Sequence, residues 1–189
     1  MRISTVAVIG AGTMGAGIAQ VCAQTGWQTR LYDAFPEGLQ KGMDSISAFW
    51  EKGIARGKTT EQQKSEWSAN LSLHGDMSAA VSGADLVIEA VPEVMELKQS
   101  IFSQLEEMAP PHAILATNTS GLQIGDIASA TECPERVIGM HFFNPVPLMA
   151  LLELVRHESC SDDTVEAAQS IGSAMGKETI LVRDVPGFA

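Results

Sequence analysis

Apolar positions along the chain fall into two alternating rhythms. Thr5–Ile9 is a short apolar, β-branched run closed by glycines, as expected of a strand buried on both faces, and further strand-like runs occur at Gln28–Tyr32, Leu71–Leu73, Leu86–Ile88, Ile114–Ala116, Val137–Met140, Leu151–Val155 and Thr179–Val182. Between them, helical spacing covers Met14–Gln24, with Ile18, Val21 and Cys22 on one face, and then Val94–Met108, Ile124–Ala130 and Asp163–Met175. A polar stretch of helical composition opens at Pro36, reaches about Trp67 and is interrupted around Gly53–Thr60. Strands alternating with helices predict an α/β fold, a mostly parallel sheet with helices on both faces. The long polar stretch is then a helical-hairpin excursion after the second strand. The sequence carries no repeat or internal linker.

Composition narrows the function classes. The 189 residues carry 12 basic and 23 acidic side chains, a formal charge of −11. A chain so acidic lacks the basic face that nucleic acid or an anionic membrane requires. No apolar run approaches the ~18–20 residues that span a bilayer, and the amino terminus has no signal-peptide pattern. Three widely spaced cysteines, Cys22, Cys133 and Cys160, make neither a disulfide framework nor a zinc site. No metal is expected, and a reducing, cytoplasmic location is the default.

Gly10-Ala11-Gly12-Thr13-Met14-Gly15 is a G-x-G-x-x-G run between the first strand and the first helix. Its glycines suit a tight turn, close approach of backbone to a pyrophosphate, and close packing of helix on strand. The helix start offers free N–H groups to the phosphates. Asp33 follows the second strand, 18 residues after Gly15, where a carboxylate would bind a ribose 2′-hydroxyl. It would repel a 2′-phosphate, and no Arg or Lys lies between Ala34 and Gln40, so NAD is expected over NADP. The fold is accordingly read as a Rossmann-type, doubly wound sheet. Gly10, Asp33, Glu89, Asn118 and His141 all fall at or just past strand carboxyl ends, the rim where open parallel sheets bind ligands.

A second pair of motifs is more specific. Ala116-Thr117-Asn118-Thr119-Ser120 precedes Met140-His141-Phe142-Phe143-Asn144-Pro145-Val146-Pro147. With the glycine loop and the Val185-Pro186-Gly187-Phe188 run, these resemble the L-3-hydroxyacyl-CoA dehydrogenase family, over essentially the whole chain, as its amino-terminal NAD-binding domain. The chemistry is coherent on the residues themselves. Oxidising a secondary alcohol needs a base for the hydroxyl proton, and histidine titrates near working pH. If the chain reverses about Pro147, Glu153 comes opposite His141 as the carboxylate that fixes its tautomer. Related hydroxyacid dehydrogenases that use a catalytic lysine are disfavoured, because no lysine falls between Lys98 and Lys177.

The resemblance implies further roles. His141 is the acid/base, Glu153 its partner, and Ser120 a hydrogen-bond donor near both the substrate oxygen and the cofactor. Asn144, Glu93 and Lys98 line the NAD site. Ser45 and Lys52 touch coenzyme A. Gly121 departs from the second serine common in the family. The stretch Lys41–Lys64 has five basic residues against three acids inside an acidic chain. It reads either as a docking face for the phosphates of coenzyme A or as a solvated amphipathic helix.

The domain is expected over residues 1–184, with 185–189 starting a connection to a helical domain that in the family closes the cleft and forms a homodimer. In the family the Val-Pro-Gly-Phe run continues to an asparagine that contacts the substrate oxygen, which this chain lacks; binding of NAD with poor turnover is the expectation for the chain alone. The implied activity is reversible, NAD-dependent oxidation of (S)-3-hydroxyacyl-CoA, as in fatty-acid β-oxidation. Two alternatives stay open: a dehydrogenase of a non-CoA hydroxy acid, such as gulonate or carnitine dehydrogenase, and a non-catalytic NAD-binding module. The cofactor assignment is testable. Replacing Asp33 with a neutral residue and adding a nearby arginine is expected to raise the affinity for NADP relative to NAD by roughly tenfold or more; unchanged discrimination in a binding titration would contradict it.

Overall fold

The computed structural model describes residues 1–187; Phe188 and Ala189, the end of the expected connection, lie outside the described residues. Eight strands form one sheet: β1 (Thr5–Ile9), β2 (Gln28–Tyr32), β3 (Leu71–His74), β4 (Leu86–Glu89), β5 (Ile114–Thr117), β6 (Val137–Phe142), β7 (Leu151–Arg156) and β8 (Glu178–Arg183). Their spatial order is β3-β2-β1-β4-β5-β6-β7-β8. The first six are parallel in the doubly wound order, which reverses direction of build at β1 and β4. β7 pairs antiparallel with β6, and β8 runs parallel to β7.

Alternate residues of the strands feed two cores, as a side-chain period of two requires. Val6, Val8, Leu86, Ile88, Ile138 and Met140 face one core, covered by α1 (Thr13–Thr25), α2 (Pro36–Ala55) and α7 (Asp162–Ala174). Ala7, Ile9, Val87, Leu115 and Val137 face the other, covered by α4 (Met77–Val81), α5 (Met95–Met108) and α6 (Ile124–Ala128). Among the described residues no helix is long and apolar enough to cross a membrane.

The excursion is a hairpin of α2 and α3 (Glu61–Ala69). Pro36 occupies the first turn of α2, where its missing N–H costs nothing. Thr60 and Gln63 form a reciprocal capping box at the start of α3. Trp50 packs on Trp67 with ring centroids 5.7 Å apart, and its indole N–H donates to Gln24 of α1. An ion pair joins Lys64 to Glu51. The predicted interruption is shorter than expected, because α2 runs through Gly53 to Ala55. Two short elements escaped the periodicity: α4, capped by Asp76, and a 3₁₀ turn at Pro134–Arg136. Neither is long enough to show a helical repeat.

The β1–α1 connection gives Gly10 and Gly15 a steric reason that Gly12 lacks. Gly10 has φ +106°, and a Cβ there would lie 2.7 Å from the Ala90 carbonyl oxygen. A Cβ on Gly15 would lie 1.7 Å from the Gly10 carbonyl oxygen, so the helix sits directly on the turn. A Cβ on Gly12 would meet nothing within 4 Å. Gly15→Ala is therefore expected to destabilise the protein by about 3 kcal/mol or more, while Gly12→Ala costs within about 1 kcal/mol. Urea unfolding of the two variants checks this; equal losses would contradict the packing.

Candidate active site

Two cavities open side by side along the strand carboxyl ends. The first, about 280 Å³, is lined by Ala11, Gly12, Thr13, Asp33, Lys41 and Ser45, with Phe35 at its rim. The second, about 380 Å³, is lined by Met14, Glu93, Lys98, Ser120, His141 and Asn144, with Asn118 and Phe143 beside them. Thr13 borders one and Met14 the other, so the glycine loop is their shared wall. A larger cavity of about 1010 Å³ lies at the opposite end of the sheet, around Glu106, Arg136 and Asp163. It belongs to the strand amino ends, away from the rim where such sheets bind ligands.

The first cavity suits the phosphate and ribose groups at one end of a dinucleotide. α1 starts at Gly12 with no side-chain cap and no acidic residue in its first turn, leaving its leading N–H groups open to an anion. The absent Cβ of Gly12 leaves the space that a pyrophosphate needs. Asp33 Oδ2 accepts from Ala11 N at 2.9 Å and its Oδ1 from Phe35 N at 2.9 Å. These bonds aim the carboxylate at the loop and leave lone pairs for a diol. Lys41 also lines this cavity, one residue past the Ala34–Gln40 stretch that carries no cation.

In the second cavity the reversal about Pro147 forms as expected. β6 and β7 pair with His141 opposite Glu153, and His141 Nδ1 lies 3.4 Å from Glu153 Oε1. Glu153 is buried behind the ring, whereas His141 reaches the cavity. Phe143 packs on the imidazole with centroids 4.6 Å apart. Nδ1 is thereby the ring nitrogen turned to the carboxylate.

Ser120 stands on a loop that is tied down from two sides. The Thr119 hydroxyl donates to Glu93 Oε1, and Ser120 N donates to the same oxygen at 3.1 Å. Thr119 Oγ1 in turn accepts from Leu122 N at 3.0 Å. Asp184, just past β8, accepts from Ile124 N and Gly125 N at 2.7 and 2.8 Å, capping α6 beyond the loop. Asn118 Oδ1 accepts from Phe142 N at 2.9 Å and locks the ends of β5 and β6 together. Burial pushes the Glu93 carboxyl up, but the Thr119 hydroxyl, the Lys98 ammonium and the Ser120 N–H outweigh it and hold it below the usual range.

Lys98 is 1% exposed and Glu89, at the end of β4, is 0% exposed. Lys98 Nζ donates to Glu89 Oε2 at 2.6 Å and to the Val91 carbonyl at 3.2 Å, with Glu93 Oε2 3.4 Å away. Sequence reasoning put Glu89 on the rim and gave it no task. A charge closing the apolar run Leu86-Val87-Ile88 was the signal.

Ser45 and Lys52 separate. Ser45 lines the first cavity, beside Gly12 and Asp33. Lys52 lies seven residues on, about 10 Å further along the same face of α2, exposed in its last turn and outside both cavities.

Residues 5–185 match the profile of the family described as 3-hydroxyacyl-CoA dehydrogenase, NAD binding domain. A probable 3-hydroxybutyryl-CoA dehydrogenase of Bacillus subtilis is 41% identical over the whole chain, which covers 65% of that protein. The 3-hydroxyadipyl-CoA dehydrogenase of Escherichia coli is 42% identical over the whole chain, which covers 39% of it. The crystal structure of (S)-3-hydroxybutyryl-CoA dehydrogenase from Ralstonia eutropha superposes with a TM-score of 0.96 at 38% identity, covering all of this chain and 66% of that one. The chain thus spans between about two fifths and two thirds of the length of these relatives. It belongs to the 3-hydroxyacyl-CoA dehydrogenase family and carries that family's NAD-binding domain.

Proposed function

We propose that the protein, completed by a helical domain following residues 185–189, catalyses reversible NAD-dependent oxidation of (S)-3-hydroxyacyl-CoA to 3-oxoacyl-CoA. The observation that carries this reading is His141 backed by Glu153 and opening onto one cavity with Ser120 and Asn144. When bound, NAD supplies the hydride acceptor. His141 Nε2 takes the hydroxyl proton. Glu153 holds Nδ1–H towards itself and stabilises the imidazolium that forms. The Ser120 hydroxyl donates to the substrate oxygen, whose charge changes as the carbonyl develops.

The loop Gly10–Gly15 (Gly10, Ala11, Gly12, Thr13, Met14, Gly15) and the start of α1 would hold the pyrophosphate, Asp33 the adenosine ribose, and Glu93, Lys98, Ser120 and Asn144 the nicotinamide half. Ser45 and Lys52 lie on one face of α2, which suits contact with coenzyme A along the hairpin. Homodimerisation, a cytoplasmic site of action and a place in fatty-acid β-oxidation belong to the same proposal. The names of the three relatives above, each a dehydrogenase of a hydroxyacyl-CoA, favour it over a non-CoA hydroxy acid.

The reading is tested in the full-length enzyme with acetoacetyl-CoA and NADH. His141→Gln is expected to lower kcat by roughly 10³-fold and Glu153→Gln by roughly 10²-fold or more, with NADH affinity unchanged within about twofold. A loss below tenfold in both variants would overturn the assignment.

A further inference from the structure

Glu89 is a fully buried carboxylate that the proposed reaction does not use. It does not line the cavity, yet every contact to it is a donor. Oε1 accepts from the Thr117 hydroxyl at 2.7 Å, and Oε2 accepts from Val91 N at 2.8 Å and Lys98 Nζ at 2.6 Å. That pattern suits an ionised carboxylate, which is acceptor-only. Lys98 is the single cation in the group, and Glu93, whose side chain is 41% exposed, is the second anion. Two carboxylates against one ammonium leave a net charge of −1 on the wall that Glu93 and Lys98 present to the second cavity.

A buried lysine could be held by Glu93 and the Val91 carbonyl alone, with a neutral group in place of Glu89. A second anion is superfluous for that purpose and costs desolvation. It has a use if the charge itself matters to the ligand. The oxidised nicotinamide ring carries a positive charge and the reduced ring none, while the rest of the dinucleotide is common to both.

We propose that Glu89 is a charge-setting and positioning residue of the nicotinamide pocket: it fixes Lys98 and keeps the Glu89–Lys98–Glu93 group net negative, shifting the pocket's preference towards the oxidised cofactor. The inference rests on the proposed placement of nicotinamide in the second cavity. The other titratable groups there, His141 and Glu153 behind it, are untouched by substitutions at Glu89.

Dissociation constants for NADH, from its fluorescence, and for NAD, by competition, supply the test. Glu89→Gln is nearly isosteric and brings the group to neutrality. It is expected to raise the ratio Kd(NAD)/Kd(NADH) about tenfold or more, tenfold being what one unit charge carries at about 12 Å and an effective dielectric of about 20, with NADH affinity changed less than about threefold. The double variant Glu89→Gln with Lys98→Met restores the net charge of −1 and returns the ratio to within about threefold of wild type. Structural damage would instead accumulate in the double variant and weaken both nucleotides together. If Glu89→Gln fails to fold, Glu93→Gln removes the same charge from the half-exposed end of the group and must raise the ratio in the same sense. A ratio that stays fixed while the two constants move together, or does not move at all, overturns the inference. Failure of the wild-type protein to bind either nucleotide would overturn the proposed function itself, and the inference with it.

Discussion

The site depends on the antiparallel turn-back of β7 on β6. Every other strand that shapes the rim arrives by a helical crossover and contributes only its carboxyl end. Antiparallel pairing lets a residue from the middle of one strand stand beside a rim residue of another. A slip of one residue would send Glu153 to the opposite face of the sheet, so the register must be fixed by something stiffer than the ladder bonds. Three contacts fix it. Gly139 lacks the Cβ that would sit 2.7 Å from Val155 Cβ, its partner two residues along the ladder from the His–Glu pair. Gly17 of α1 lacks the Cβ that would sit 3.0 Å from Val146 Cβ, and so admits the turn onto the helix. Lys177 Nζ reaches across to the carbonyls of Val146 and Met149, 2.5 and 2.7 Å away.

One wall of the second cavity is built around charge. Burying an ammonium is tolerable only when its three hydrogens have acceptors, and Glu89, Val91 and Glu93 surround Lys98. The same Glu93 also restrains the loop of Ser120, so the group facing one side of the cavity positions the hydroxyl on another. Asp184 fastens the far side of that loop to the end of β8, which couples the last strand of the sheet to the serine without touching it.

Much of this was legible before any coordinates. The central strands announce themselves because β1, β4 and β5 are short apolar runs closed by a glycine or a polar residue, and the glycine loop is a local motif whose steric logic needs no partner. The pairing of His141 with Glu153 follows from one turn signal and a count of residues. The Lys98 network was harder to see, because Glu89, Glu93 and Lys98 come from a strand end, a loop and a helix, and only the fold brings them within bonding distance. Lys41 was passed over because a window along the chain is not a radius in space: one turn of α2 returns it to Asp33's cavity. Conversely, Ser45 and Lys52 share a helix face but not a cavity.

In the proposed reaction Glu153 sets the tautomer of His141, and nitrogen-15 NMR of the His141 side chain, at a pH where the ring is neutral, reads that tautomer. A protonated Nδ1 and a bare Nε2 are expected in the wild type, with that preference lost in Glu153→Leu. A proton resident on Nε2 in the wild type would contradict it.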